Sequence, residues 1–257
     1  MIHPTAIVHE NAEIHPGAEI GPYTIIDGHV TIGADCVVGP HVHLTGHTTI
    51  GSGNRFHTGC VIGDAPQDVK YDGEPTRLII GDGNTFREHV TIHRSNTLEE
   101  NTRLGSENIF MANSHVGHNS VVGNKAILAN GALVGGHAMI GDGAFLSGNA
   151  VVHQFCRIGS MAMMQGCSGV SLDLPPFTIV RGINGMCGLN SVGLKRAGFA
   201  AEERRELKQA YRALFMGNDL MKDAIAKARE QFTGVLAEQL LDFIDSSERG
   251  TCSHTKR

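Results

Sequence analysis

Large apolar residues recur at every sixth position from Ile2 to Val170, in a single phase. Ile2, Val8, Ile14, Ile20, Ile26, Ile32, Val38, Leu44, Ile50, Phe56 and Ile62 open the series. It misses at Asp68 and Glu74, returns at Ile80, Phe86, Ile92 and Leu98, and continues from Leu104 to Val170, so that 27 of 29 stops are large and apolar. Six is neither the helical nor the strand period, and chance does not hold one phase over that length. The pattern predicts a parallel β-helix of hexapeptide repeats, an all-β repeat fold.

Each hexad is one short strand and a tight corner, and three hexads close a triangular coil of about 18 residues, stacked at roughly 4.8 Å. Position 1 points into the prism. Position 2 is often glycine, as at Gly21, Gly51, Gly117 and Gly135, which suits corner angles that other residues avoid. Position 5 must be small, and reads Ala18, Thr24, Cys36, Cys60, Ala126 and Ala144 among others. Stability is then close to a sum of coil-on-coil terms.

The repeat is expected to fill residues 1–190. Residues 64–77 carry charge, two prolines and a tyrosine, and read as a loop extruded from a corner. Ser95 to Arg103, polar except for Leu98, reads as a shorter excursion. Pro175-Pro176 is expected to end the coil, since proline donates no ladder hydrogen bond. Residues 191–257 change to the helical period. Leu207, Tyr211, Leu214 and Phe215 mark a first helix, a second follows a cap at Asn218, and a third opens at Thr233. These form an α-helical cap over the open end of the prism, and residues 246–257 read as a loose polar tail.

Composition changes this picture little. A net charge of −5 gives nucleic-acid binding no support. The charge is unevenly spread, with 9 basic and 16 acidic residues in 1–190 against 12 and 10 in 191–257. The six cysteines include no CxxC pair, and Cys36, Cys60 and Cys156 occupy position 5, which makes them small buried residues rather than disulfides or metal ligands. No basic-then-apolar leader opens the chain and no run nears 18 apolar residues, so a cytoplasmic protein without membrane insertion is expected.

Fourteen of the fifteen histidines lie in 1–190. Most, such as His9, His15, His29 and His47, read as outward surface residues. The hexads starting at Val116, Val134 and Val152 are consecutive layers of one face, carrying His118 at position 3, His137 at position 4 and His153 at position 2. That stacking holds the three imidazoles within roughly 10–12 Å of one another, with His115 at the corner beside His118. An imidazole can take a proton from a hydroxyl near neutral pH. Gly135-Gly136, one layer above Gly117-His118, offers bare N–H groups to a developing oxyanion. Direct attack of an acceptor on an acyl donor needs no covalent enzyme intermediate, no metal and no cofactor.

Six segments then carry a resemblance: Gln67-Asp68-Val69-Lys70-Tyr71-Asp72-Gly73-Glu74-Pro75-Thr76, Val90-Thr91-Ile92-His93-Arg94, Ser114-His115-Val116-Gly117-His118-Asn119, Val152-His153-Gln154-Phe155, Gly166-Cys167-Ser168-Gly169-Val170 and Gly193-Leu194-Lys195-Arg196. In this order the chain resembles the UDP-N-acetylglucosamine O-acyltransferases that open lipid A synthesis, over its whole length. The resemblance implies a left-handed β-helix, a homotrimer, and sites in the clefts between subunits. The left-handed crossover departs from the usual rule. It implies a 3-hydroxyacyl thioester on acyl carrier protein as donor and the glucosamine 3-hydroxyl of UDP-N-acetylglucosamine as acceptor. By position, His118 is then the general base and the Gly136 N–H binds the oxyanion. Asp68, Lys70, His137, His153 and Gln154 hold sugar or acyl chain, and His115 and His93 lie near the nucleotide. Asn190 and Arg196 serve the diphosphate end or the carrier. Lys195, Arg196, Arg204, Arg205 and Lys208 meet the acidic carrier. Met161, Met163, Met164, Gln165 and Gly166 are candidates for the acyl-chain floor. Asn119 stands where members often have a carboxylate, so help to the base from a negative neighbour is expected to be absent. Val192 and Ala197 also depart, beside the Lys-Arg pair.

Three other readings compete. The later N-acyltransferase of the same pathway carries an extra N-terminal domain, whereas the repeat here starts at residue 2; an acceptor with a 3-amino group is a variant of the same chemistry. A γ-type carbonic anhydrase, a trimeric hexapeptide β-helix, would bind zinc through three histidines across subunits, for which His115, His118 and His137 are candidates. The last reading is a scaffold with no chemistry.

Overall fold

The computed structural model describes residues 1–255. Among them, three sheets of 9, 8 and 11 strands form the faces of a prism, parallel throughout except for one antiparallel pair in the third. The first face runs from Ile7–Val8 through His115–Val116, Leu133–Val134 and Val151–Val152 to Gly169–Val170, the second from Glu13–Ile14 to Arg157–Ile158. The register advances eighteen residues per coil, as in Val116 with Val134 and Val134 with Val152. Position 1 forms the core: Ile62, Ile92, Val116 and Leu128 are fully buried.

Two ladders inside the prism add to the aliphatic core. Phe56, Phe86 and Phe110 stack with centroids 4.7 and 4.8 Å apart, within the range that favours aromatic pairs. At position 5, Asn54, Asn84 and Asn108 form an amide ladder. Asn84 Nδ2 donates to Asn54 Oδ1 at 2.9 Å and to the Gly105 carbonyl at 3.0 Å, so these buried amides are paired.

The glycines of position 2 serve a different need from the one expected. Left-handed backbone occurs at position 4, for example at Tyr23, Asn119, His137 and Phe155, with φ between 57° and 64°. Position 2 is glycine because the next coil lies too close. A Cβ on Gly51 would stand 2.7 Å from the Gly81 carbonyl oxygen, and one on Gly117 2.7 Å from the Gly136 nitrogen.

Two excursions interrupt the coil. Thr48 pairs with Leu78 and Leu78 with Thr102, so these coils hold twelve and six extra residues. Both lengths are multiples of six, which is why the apolar phase survives them. Leu98 is therefore a coincidence of phase: it lies in the second excursion and is 62% exposed.

The end of the prism differs from expectation in three ways. Pro175-Pro176 does not end the coil, because Thr178–Arg181 still pairs in parallel with Met163–Met164. The prolines sit in the intervening corner, where no ladder bond is needed. A hairpin to Gly185–Leu189 follows. Among the described residues there are four helices rather than three: α1 (Ser191–Arg196), α2 (Ala201–Phe215), α3 (Met221–Gln231) and α4 (Val235–Asp245). Neither Asn218 nor Thr233 is an N-cap; those places belong to Leu220 and Gly234, and Glu206 Oε1 accepts the Thr233 and Gly234 N–H groups. The polar tail, over its described residues 246–255, is not loose; Lys256 and Arg257 lie outside the described residues. Ser253–His254 adds a strand beside Gly185–Leu189, and Cys252 is fully buried. Buried Asp173 ties the parts together. Its Oδ2 takes hydrogen bonds from Arg157 Nε and Ser247 Oγ, both at 2.8 Å, while Arg157 also reaches the Phe243 carbonyl of α4.

Candidate active site

The corner after the first face is built by stacked hexads. Register places Gly117, Gly135 and His153 in one column, His118, Gly136 and Gln154 in the next, and Asn119, His137 and Phe155 in the third. The position above His118 is thus a glycine, and a side chain there would collide: a Cβ on Gly136 would lie 2.8 Å from His118 Nε2. The Gly136 N–H has no protein acceptor among the described residues.

A groove of about 740 Å³ runs along the first face, lined by His118, Gly136, His153, Gln154, His115, His93, His89, Thr91, Asn113, Gln67, Leu133 and Val151. Its wall is polar on the histidine side. Leu133 and Val151, outward at position 6 and 43% and 45% exposed, give an apolar strip. Sequence reasoning passed over this pair, although apolar residues pointing outward on adjacent coils are a readable signal.

His137 stands round the corner. Its ring meets His118 edge-on at 5.2 Å and stacks on Phe155 at 4.6 Å, but it faces neighbouring grooves with Met139 and Phe155. His118 and His137 are thus in contact, while His118 and His153 line one groove and His137 the next. Deeper in, His93 meets His115 edge-on at 4.8 Å, and His115 Nδ1 lies 2.8 Å from Thr91 Oγ1. Burial pushes the His115 pKa down to about 4, with His93 adding to it. Burial lowers His93 too, against the pull of Asp64, and lowers His137 with the aid of His118. These rings are neutral at neutral pH.

The two excursions meet beside His118. Asp68 Oδ2 accepts from Asn96 Nδ2 at 2.7 Å, and the Asn96 N–H donates to Asn119 Oδ1 at 3.0 Å. Asp68 Oδ1 also accepts the Lys70 N–H, and these bonds hold its carboxyl below the usual range. Arg94 anchors the longer loop through Tyr71 Oη and the Gly63 carbonyl. Asn119 puts an amide, not a carboxylate, beside His118, and a carboxylate stands behind that amide: Asn119 Nδ2 donates to Glu100 Oε2 at 3.1 Å.

The remaining candidates lie elsewhere in the chain. Asn190 caps α1, its Oδ1 accepting the Gly193 N–H and its Nδ2 donating to the Met161 carbonyl, so its side chain is already engaged. Arg196 is exposed in the last turn of α1. Met164 is fully buried and belongs to the core, not to an acyl-chain floor. Met161 lies in the turn between Arg157–Ile158 and Met163–Met164, Met163 in the latter strand, and Gln165 and Gly166 in the turn that leads to Gly169–Val170 on the first face; none of the four lines the groove. Among the described residues, no three His, Cys, Asp or Glu side chains of one chain converge as metal ligands. No helix among them is long and apolar enough to cross a membrane.

The hexad-built prism is that of a bacterial hexapeptide-repeat transferase: the bacterial transferase hexapeptide model, six repeats, matches residues 29–64. The model for domain 2 of UDP-N-acetylglucosamine O-acyltransferase matches residues 173–252. An acyl-(acyl-carrier-protein)–UDP-N-acetylglucosamine O-acyltransferase of Halorhodospira halophila is 42% identical over 97% of this chain and 98% of its own. The protein of the same name from Herminiimonas arsenicoxydans is 45% identical with the same coverage. The crystal structure of the Francisella novicida UDP-N-acetylglucosamine acyltransferase superposes with a TM-score of 0.95 at 37% identity, covering 100% of this chain and 95% of that one. The chain belongs to the UDP-N-acetylglucosamine O-acyltransferase family, and its prism is the left-handed parallel β-helix of that family.

Proposed function

We propose that this protein transfers a 3-hydroxyacyl group from acyl carrier protein to the glucosamine 3-hydroxyl of UDP-N-acetylglucosamine, the first step of lipid A synthesis, in the cytoplasm and as a homotrimer. The observation that carries this reading is His118, whose Nε2 lies in the groove against side-chain-free Gly136. Nε2 takes the proton of the 3-hydroxyl as its oxygen attacks the thioester carbonyl. The Gly136 N–H receives the oxyanion. The C–S bond then breaks, and the thiolate leaves with the proton held by His118. General-base assistance of this kind contributes roughly 10²–10⁴-fold.

Asp68, Lys70, His153 and Gln154 serve the sugar, and neutral His93 and His115 border the nucleotide. Leu133 and Val151 supply an apolar track for the acyl chain, and His137 acts from behind His118. Met161, Met163, Gln165 and Gly166 reach an acyl chain only in a groove shared with a second copy. Arg196, with Lys195, Arg204, Arg205 and Lys208, gives the carrier a basic landing area, and Asn190 acts by placing α1.

Mass spectrometry of the product from UDP-N-acetylglucosamine and a mixed pool of acyl-carrier thioesters tests the reading. An ester on the 3-hydroxyl is expected. Absence of that ester, with turnover only of a 3-amino analogue, contradicts it.

A further inference from the structure

Asn119 directly follows His118, holds left-handed backbone with φ 59° and is 5% exposed. Both ends of its side chain are engaged. Oδ1 accepts the Asn96 N–H at 3.0 Å and lies 2.9 Å from His118 Nδ1. Nδ2 donates to Glu100 Oε2 at 3.1 Å. A backbone N–H only donates and a carboxylate only accepts. Each partner therefore sets the amide the same way round, with its oxygen toward the imidazole. An amide oxygen only accepts, so His118 Nδ1 carries the proton. In a neutral ring the lone pair is then on Nε2, the atom against Gly136 in the groove.

We propose that Asn119, oriented by Glu100, is a positioning residue that holds His118 as the Nδ1–H tautomer. The proposal rests on the reading of His118 as general base. The opposite tautomer would put a proton on Nε2 and leave nothing to receive the one from the sugar hydroxyl. Glu100 thus provides a carboxylate at one amide's remove from the imidazole. It also lies 3.6 Å from His137 Nδ1, so one side chain touches both the amide behind His118 and the His137 ring. The arrangement depends on the six-residue excursion that brings Asn96 and Glu100 over Asn119.

The test uses the full-length protein labelled with ¹⁵N at histidine. Long-range ¹H–¹⁵N spectra at about pH 8 report the tautomer of each neutral ring without substrate, and His118→Ala assigns the His118 signals. The expected pattern is Nδ1–H. Asn119→Gly keeps the left-handed backbone open and removes the amide. It should release the Nε2–H tautomer and lower kcat by about 10- to 100-fold while KM stays within about threefold. Asn119→Asp should keep Nδ1–H and move the acidic limb of the kcat profile to higher pH, because a carboxylate favours the imidazolium. Glu100→Gln retains an acceptor and should leave the tautomer in place; Glu100→Ala should weaken it. Nε2–H in the parent protein, or an unchanged tautomer and kcat in Asn119→Gly, overturns the proposal. Full turnover by His118→Ala would instead overturn the general-base reading, which the tautomer spectra do not address.

Discussion

A methyl group on Gly136 would stand 2.8 Å from His118 Nε2. Gly136→Ala should therefore displace the imidazole and lower kcat/KM by about 100-fold or more, with the melting temperature close to that of the parent. Initial rates beside a thermal melt check this. His115 offers a second prediction. Its folded pKa of about 4 lies below the ordinary 6.5, so between those values the unfolded chain binds more protons. Its contribution, up to about 3 kcal/mol, is complete above about pH 6.5 and is lost as the pH falls toward 4. Denaturant unfolding at a series of pH values should show stability dropping through that window, and His115→Asn should flatten the drop. His118, Gly136 and His153 could be brought together from their hexad positions alone. Asn96 and Glu100 could not, since their approach to Asn119 depends on how an excursion folds back.

Strands and corners were legible because each hexad repeats the same demand: an apolar residue inside, a small one near the corner, and no side chain where coils approach closely. The amide ladder of Asn54, Asn84 and Asn108 escaped that reading, because an asparagine at position 5 is inside only when its neighbours above and below complete the pairing. Leu98 escaped it for the opposite reason, matching the phase from an exposed loop. The loop over 64–77 hangs on Arg94, through Tyr71 Oη at 2.9 Å and the Gly63 carbonyl at 2.8 Å. Arg94→Ala should loosen it, raising KM for the sugar nucleotide roughly tenfold with a smaller change in kcat. Steady-state kinetics and faster proteolytic cleavage within 64–77 report the effect.

At the scale of the molecule, an ion pair within the prism, Arg157 with Asp173, holds the helical cap through hydrogen bonds to the Phe243 carbonyl and from Ser247 Oγ. Asp173, 1% exposed, is bonded by Arg157 of the last second-face strand and by Ser247 beyond α4. Asp173→Ala strands the Arg157 guanidinium and should destabilise the fold by about 3 kcal/mol or more, read as a lowered denaturation midpoint. The helical period announced the cap, but the tail's return was hidden, because two residues in a sheet leave no periodic trace. The whole construction serves one purpose in this account: successive coils set an imidazole against bare backbone at a groove. The most direct test is transfer from an acyl-carrier thioester to UDP-N-acetylglucosamine by His118→Ala, with the parent's circular dichroism spectrum as the control for folding. The account predicts a rate lower by about 10²–10⁴-fold; a folded variant that turns over at the parent's rate would contradict it.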